Sequence, residues 1–236
     1  MTVNRPEFQL DDVTTRALTG SFSEDRLSTY LRVTGDPGQA LRLHGWNTAI
    51  SAAFYGPLRC LEVAFRNAVD RTLTRTYGPA WFDNPRTGLN VMALQRIAEA
   101  KDDLRRGRYP QDRPHLVAAL SLGFWVSLLG RGGDRPVHGG SKADYERTLW
   151  RPSLHHAFAH ARLSRGQAHQ PLDHLRTFRN RIAHHEPIFH RHLRADYASL
   201  LNVAGWICPV TRDWIVHHNR VEALLARPPQ DGSANF

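Results

Sequence analysis

Residues 173 to 190, DHLRTFRNRIAHHEPIFH, gather more reactive side chains than any other stretch of the chain. On a helical wheel turning about 100° per residue, Leu175, Phe178 and Ile182 fall within about 60° of one another and form a stripe for burial. Asn180 and His184, four residues apart and so neighbours, point almost directly away from that stripe. Arg176 and Arg179 flank one side of it, Arg181 and His185 the other. An arginine supplies a fixed cation for a phosphate, or for the charge that develops on a five-coordinate phosphorus. Asparagine orients a hydroxyl, and histidine moves protons near neutral pH. These are the parts needed to cleave RNA through its own 2′-OH, with no metal or other cofactor. No carboxylate cluster offers itself to two metal ions. The C-terminal end of a helix, where His184 falls, favours a cation, which suits a general acid for the leaving 5′-oxygen. The blander reading is a solvated basic face with surface histidines, and the combination of chemical types is what argues against it. Spacing leaves open whether His185 shares the role of His184.

A second cluster, Glu62, Arg66, Asn67 and Asp70, lies on an earlier helical segment. Steps of four from Glu62 to Arg66 to Asp70 fit a run of surface ion pairs, each worth a few tenths of a kcal/mol. They equally fit a supporting role in which Glu62 or Asn67 holds Arg179 in one rotamer. His156 and His160 share a helix face without a third ligand at a convincing spacing, so packing is favoured over metal binding. Trp125, Trp150, Trp206 and Trp214 sit at helical spacing among apolar residues and are expected in the core, whereas Trp81, in a loop, is free to stack a base.

The elements that must position these groups read as all-α, because helical spacing recurs while period-two alternation is scarce. Residues 1–20 carry no clear element. Ser23 caps a short helix that ends before Gly35, and Asp36-Pro37 restarts the chain as N-cap and first helical residue. The segment from Gln39 to Tyr77 is expected to kink or split at Gly56-Pro57, with Leu58, Leu61, Phe65, Val69 and Leu73 as its core stripe. Residues 78–90 read as a loop. Met92–Arg106 and Pro114–Leu129 read as helices, the second strongly apolar and central. The Gly130–Lys142 connection carries Arg131, Arg135, His138 and Lys142 but no GK[ST], which excludes a P-loop. Further helices are expected at 145–162, 171–186, 190–206 and 211–226, followed by a disordered tail over 227–236. One domain over 1–226 is the expected organisation.

The 236 residues carry a net charge of +9, and only Lys101 and Lys142 are lysines, so 29 of the 31 basic residues are arginine. Arginine grips phosphate bidentately and stacks on bases, and such a surplus makes a polyanion the leading partner class. Cys60 and Cys208 lie far apart, which excludes a disulfide framework and fits a reduced, cytoplasmic setting. The N-terminus lacks the apolar run of a secretory signal. The longest apolar stretch, Leu116–Leu129, is too short to span a bilayer, so no membrane association is expected.

Arg179, Asn180 and His184 match the R-N-x(3)-H form of the motif that marks the HEPN superfamily of helical ribonucleases. The chain also resembles the Abi-like (abortive infection, AbiD/AbiF-type) family over most of its length. The likeness runs through RLSTYL at 26–31, ALRLHGWNTAIS at 40–51, LRCLEVAFRNAVDRTL at 58–73, GFWVSLL at 123–129, LW at 149–150, LRTFRNRIAHHEPIF at 175–189, and GWICP with a later W-x(5)-R. His44 stands where the family often has tyrosine. The resemblance implies a HEPN-like helical bundle with additional helices and a metal-independent endoribonuclease with catalytic Arg179, Asn180 and His184. Glu62, Arg66, Asn67, Arg176, Arg181 and His185 would then support the site or contact RNA. It further implies phage defence by abortive infection or growth arrest, with an antitoxin or noncoding RNA as candidate regulator. HEPN sites are built from two facing motifs, and one copy here implies a homodimer with a two-fold axis near His184. The competing expectations are an RNA-binding module with little or no nuclease activity and an inactive HEPN partner that mediates association.

Overall fold

The computed structural model describes residues 8–134 and 142–227, and within them the protein is all-α, with no strand. Arg135 and His138 of the 130–142 connection, and the 228–236 part of the expected tail, lie outside the described residues.

Two helices open the chain. Asp11 caps α1 (Asp12–Phe22) through Thr14 N–H, so the supposedly irregular N-terminal stretch contains a helix, although one that buries none of its residues. Ser23 caps α2 (Glu24–Thr34), which closes on Gly35 in the left-handed conformation. Next comes α3 (Pro37–Tyr77), capped by Asp36, the spine against which nearly every other element packs. At 41 residues it is roughly 60 Å long. It runs on through Pro57 without splitting. The missing N–H removes one helical hydrogen bond, but Ala53, Phe54, Pro57, Leu58 and Leu61 are all buried, and that packing outweighs the loss.

Residues 78–90 form two short 3₁₀ turns that bury Trp81 completely, its indole N–H donating to the Asp70 carboxylate at 2.9 Å. Trp81 is therefore core and not a base platform. Asp70 also meets Arg113 at 3.2 Å, and Glu62 turns elsewhere, so the expected ladder of ion pairs along α3 does not form. After α4 (Val91–Arg106), the apolar segment expected as one helix divides into α5 (Arg113–Ala119) and α6 (Leu122–Ser127). Leu120 is extended and Ser121 caps α6. The freed Leu120 carbonyl accepts from the buried Trp125 indole N–H, at 3.2 Å, a partner that a continuous helix would have excluded.

The 145–162 stretch is likewise no α-helix. Pro152 interrupts it, leaving a π turn at Glu146–Trp150 and a 3₁₀ turn at Leu154–Phe158. The helix carrying the reactive residues, α7 (Arg165–Ala183), starts earlier than expected on a capping box formed by Ser164 and Gln167. It is followed by α8 (Leu193–Ile207), α9 (Pro209–His217) and α10 (Val221–Leu225). The last two replace a single expected helix. Asn219 ends α9 by donating to the Ile215 and Val216 carbonyls and accepts from Val221 N–H at the start of α10. Trp125 and Trp150 are buried and Trp206 half-buried, but Trp214 on α9 is exposed, contrary to the expectation of a core residue.

Candidate active site

The stripe of α7 docks the helix on the spine: Leu172, Leu175, Phe178 and Ile182 are buried, and Phe178 meets Phe54 of α3 edge-on with ring centres 4.9 Å apart. That registers α7 against the middle of α3. Arg179 projects toward α3, its Nε 3.9 Å from Glu62 Oε2, an ion pair without a direct hydrogen bond. The pair sits in a cleft of about 200 Å³ with Tyr55, Arg59 and Arg66 among its walls. Three guanidiniums thus face one carboxylate. Moreover, Arg66 Nε is buried with no hydrogen-bond partner among the described residues, an orphan donor of the kind an acceptor ligand would satisfy.

The helix ends where the chemistry is densest. His184 is the C-cap, its N–H donating to the Asn180 carbonyl at 2.9 Å, and its side chain is exposed. His185 takes the left-handed conformation, φ 57°, and its N–H donates to Ile182 O while Glu186 N–H donates to Arg181 O. This is a Schellman turn with histidine in the position that glycine usually fills. The helical wheel therefore fails at His185, which turns back toward α3 instead of continuing the α7 face. His185→Gly is expected to raise the melting temperature by roughly 2 °C and His185→Val to lower it by roughly 3–6 °C. A thermal melt of both variants checks this, and a stabilising valine would refute the strain.

Beyond the turn the chain is fastened at three points. The His185 carbonyl accepts from an Arg26 guanidinium N–H of α2. Asn47, buried in α3, accepts from the Ile188 and Phe189 N–H groups at 2.8 and 3.1 Å. Asp196, buried in α8, accepts from Arg191 through both its oxygens at 2.9 Å and from His174 Nε2 at 2.8 Å. Burial opposes ionisation of Asp196, but the hydrogen bonds from Arg191 and His174, together with their charges, outweigh it and hold the carboxyl below its ordinary value. His184 is thus presented on a fixed turn. Sequence reasoning missed all three anchors. A signal for two of them was present, since Asn47 interrupts the apolar series Leu43, Ile50, Phe54, and Asp196 the series Leu193, Tyr197, Leu200.

Of the residues singled out from sequence, Arg179, Glu62 and Arg66 come together. His185 lines a second cleft beside them, and Tyr55 is shared by both. Asn180 is half-buried and His184 exposed, and neither lines either cleft. Arg176 pairs with Asp173 at 2.8 Å, Arg181 lies 3.8 Å from Glu186, and Asn67 is outside the cleft walls. Among the described residues no three His, Cys, Asp or Glu side chains converge to hold a metal ion. No helix among them is long and apolar enough to cross a membrane.

Comparison with family models, curated proteins and solved structures finds no match. The functional reading therefore rests on the residues themselves.

Proposed function

We propose that the protein is a metal-independent endoribonuclease of HEPN type that cleaves RNA by attack of the 2′-OH and acts as a homodimer in abortive infection. The observation that carries this reading is the cleft in which Glu62 lies 3.9 Å from Arg179 while Arg59 and the orphan donor of Arg66 leave an excess of positive charge. Such a cleft suits a phosphodiester. In the proposed reaction the 2′-oxygen bonds to phosphorus as the P–O5′ bond breaks: Asn180 orients the 2′-hydroxyl, whose proton passes to solvent water, Arg179 neutralises charge growing on the phosphorus oxygens, and His184 gives a proton to the departing 5′-oxygen. The products would be a 2′,3′-cyclic phosphate and a 5′-hydroxyl.

Pairing of two copies is supported by helix geometry. Residues 179 and 184 leave α7 about 140° apart around its axis and about 7.5 Å along it, so one copy does not readily enclose a phosphate with both groups. A second copy of α7 across a two-fold axis supplies the missing wall.

Incubation of the purified protein with RNA in excess chelator is expected to yield cyclic-phosphate ends. Cleavage that requires Mg²⁺ would overturn the mechanism. The binding-module reading is favoured by one observation, that Asn180 and His184 line neither cleft. Salt-dependent affinity with no products would establish it. Within the nuclease reading, Glu62→Ala is expected to slow cleavage roughly tenfold, the loss that follows removal of an orienting partner, while sedimentation shows the dimer unchanged. Unaltered cleavage would remove Glu62 from the site.

A further inference from the structure

The second cleft differs in chemistry from the arginine cleft beside it. It measures about 530 Å³, in the range of small-ligand pockets, and Arg26, His44, Ser51, Tyr55 and the His185 turn are among its walls. Tyr55 stands between the two clefts and is 52% exposed, unusual for a large aromatic on a helix otherwise so deeply packed. His44 stacks on Phe22 with centres 5.0 Å apart and meets Tyr30 edge-on at 5.2 Å. Burial, aided by the Arg26 charge, pushes its imidazole below the ordinary histidine value, which leaves it neutral at pH 7 with one donor and one acceptor nitrogen. The Arg26 guanidinium is already turned to the His185 carbonyl. What this cleft offers is an exposed ring, a serine hydroxyl, a neutral imidazole and a partly engaged guanidinium. A phosphate gains little there, whereas a nucleobase finds a stacking face and edge partners.

We propose that this cleft holds a nucleobase of the bound RNA, stacked on Tyr55, while a neighbouring phosphate lies against Arg59, Arg66 and Arg179. The proposal rests on the RNA-cleaving reading and adds a base-binding residue to it. Tyr55 thereby sets which nucleotide is threaded past α7 and selects unpaired over paired positions, because a base held in a stack with its partner is not free to enter.

The test uses the full chain carrying His184→Ala, so that RNA is bound without being cut, and a set of short single-stranded oligonucleotides each with one abasic position. Tyr55→Ala in that background is expected to weaken binding of the intact oligonucleotide about 5- to 150-fold, and Tyr55→Phe less than about twofold. One abasic position is expected to weaken binding to the Tyr55 protein by a similar factor and to have no further effect on the Tyr55→Ala protein. That loss of additivity is specific to a stacked base and would not follow from a structural role. Equal affinity of the Tyr55 and Tyr55→Ala proteins, or fully additive effects at every abasic position, overturns the pocket and leaves the nuclease reading standing. Failure of the Tyr55 protein to bind any RNA overturns the nuclease reading itself.

Discussion

Arg179→Ala and His184→Ala are each expected to lower RNA cleavage by about two to four orders of magnitude while moving the melting temperature by no more than about 2 °C. The separation of these effects follows from where the groups sit. His184 is an exposed cap residue that contributes its backbone to the helix end, and alanine keeps that backbone. Arg179 is half-buried and lies 3.9 Å from Glu62, a partly solvated pair worth about 1 kcal/mol or less. Neither side chain carries much stability, so a large loss of rate would report chemistry and not unfolding. The double variant should be little worse than the worse single variant, because groups that act on one transition state are not additive. If Arg179 and His184 of different subunits serve one phosphate, mixing the two inactive variants restores part of the activity. Half of the mixed dimers are heterodimers, and one of their two sites is intact, so about a quarter of the original rate is expected. No recovery on mixing would place both groups in the same subunit's contribution, and cleavage that survives either substitution would defeat the assignment.

Asp196→Asn has the opposite signature. It leaves the clefts untouched but removes the negative charge facing the Arg191 guanidinium, whose side chain is only 16% exposed, and leaves one acceptor oxygen where Arg191 and His174 had shared two. Breaking a buried pair on one side costs about 3–5 kcal/mol, which for a chain of this size lowers the melting temperature by roughly 6–20 °C. The pH dependence carries the same information. The carboxyl of Asp196 is held below 3.8 in the folded protein, so its contribution is fully present above the unfolded value and is lost as pH falls through the lower, folded one. Melts recorded from pH 6 down to pH 3 should show the native protein losing stability faster than Asp196→Asn below about pH 4. Parallel curves would show that the carboxylate does not hold this segment. Because Arg191 also lies over the Phe178 ring at 5.0 Å, the loss should spread to the docking of α7 and reduce cleavage indirectly, in step with the melting temperature.

What was legible in the sequence was whatever depends on local periodicity and on capping chemistry. Asp36-Pro37, Ser23 and Gly35 mark their helix ends correctly, and the stripe of Leu175, Phe178 and Ile182 is buried as its spacing required. Illegible features turned on competition between local and distant partners. Nothing in the all-round apolar character of residues 114–129 shows that the Leu120 carbonyl will prefer the Trp125 indole to a helical N–H. Continuity through Pro57 depended on the burial around it, which a rule about proline does not contain. Trp81 looked available because it lies between turns, yet Asp70, eleven residues earlier, draws it inside. In the candidate site, the spacing fitted Glu62 equally to a surface ion-pair run along its own helix and to a place beside Arg179, and in the fold it lies 3.9 Å from Arg179. The wheel could not foresee that the helix stops at Ala183 and that His185 turns over in the left-handed region.

The distance along the chain between the two walls of the arginine cleft has a bearing on how the protein is made. Glu62 and Arg66 leave the ribosome more than a hundred residues before Arg179, and the anchor at Asp196 comes later still. At ordinary elongation rates that interval is roughly 6–25 s. During it the spine helix lacks the face that completes the cleft, and His184 has not yet been made. On the proposed reading, the order of the segments keeps each nascent copy inert until α7 and α8 have both been made.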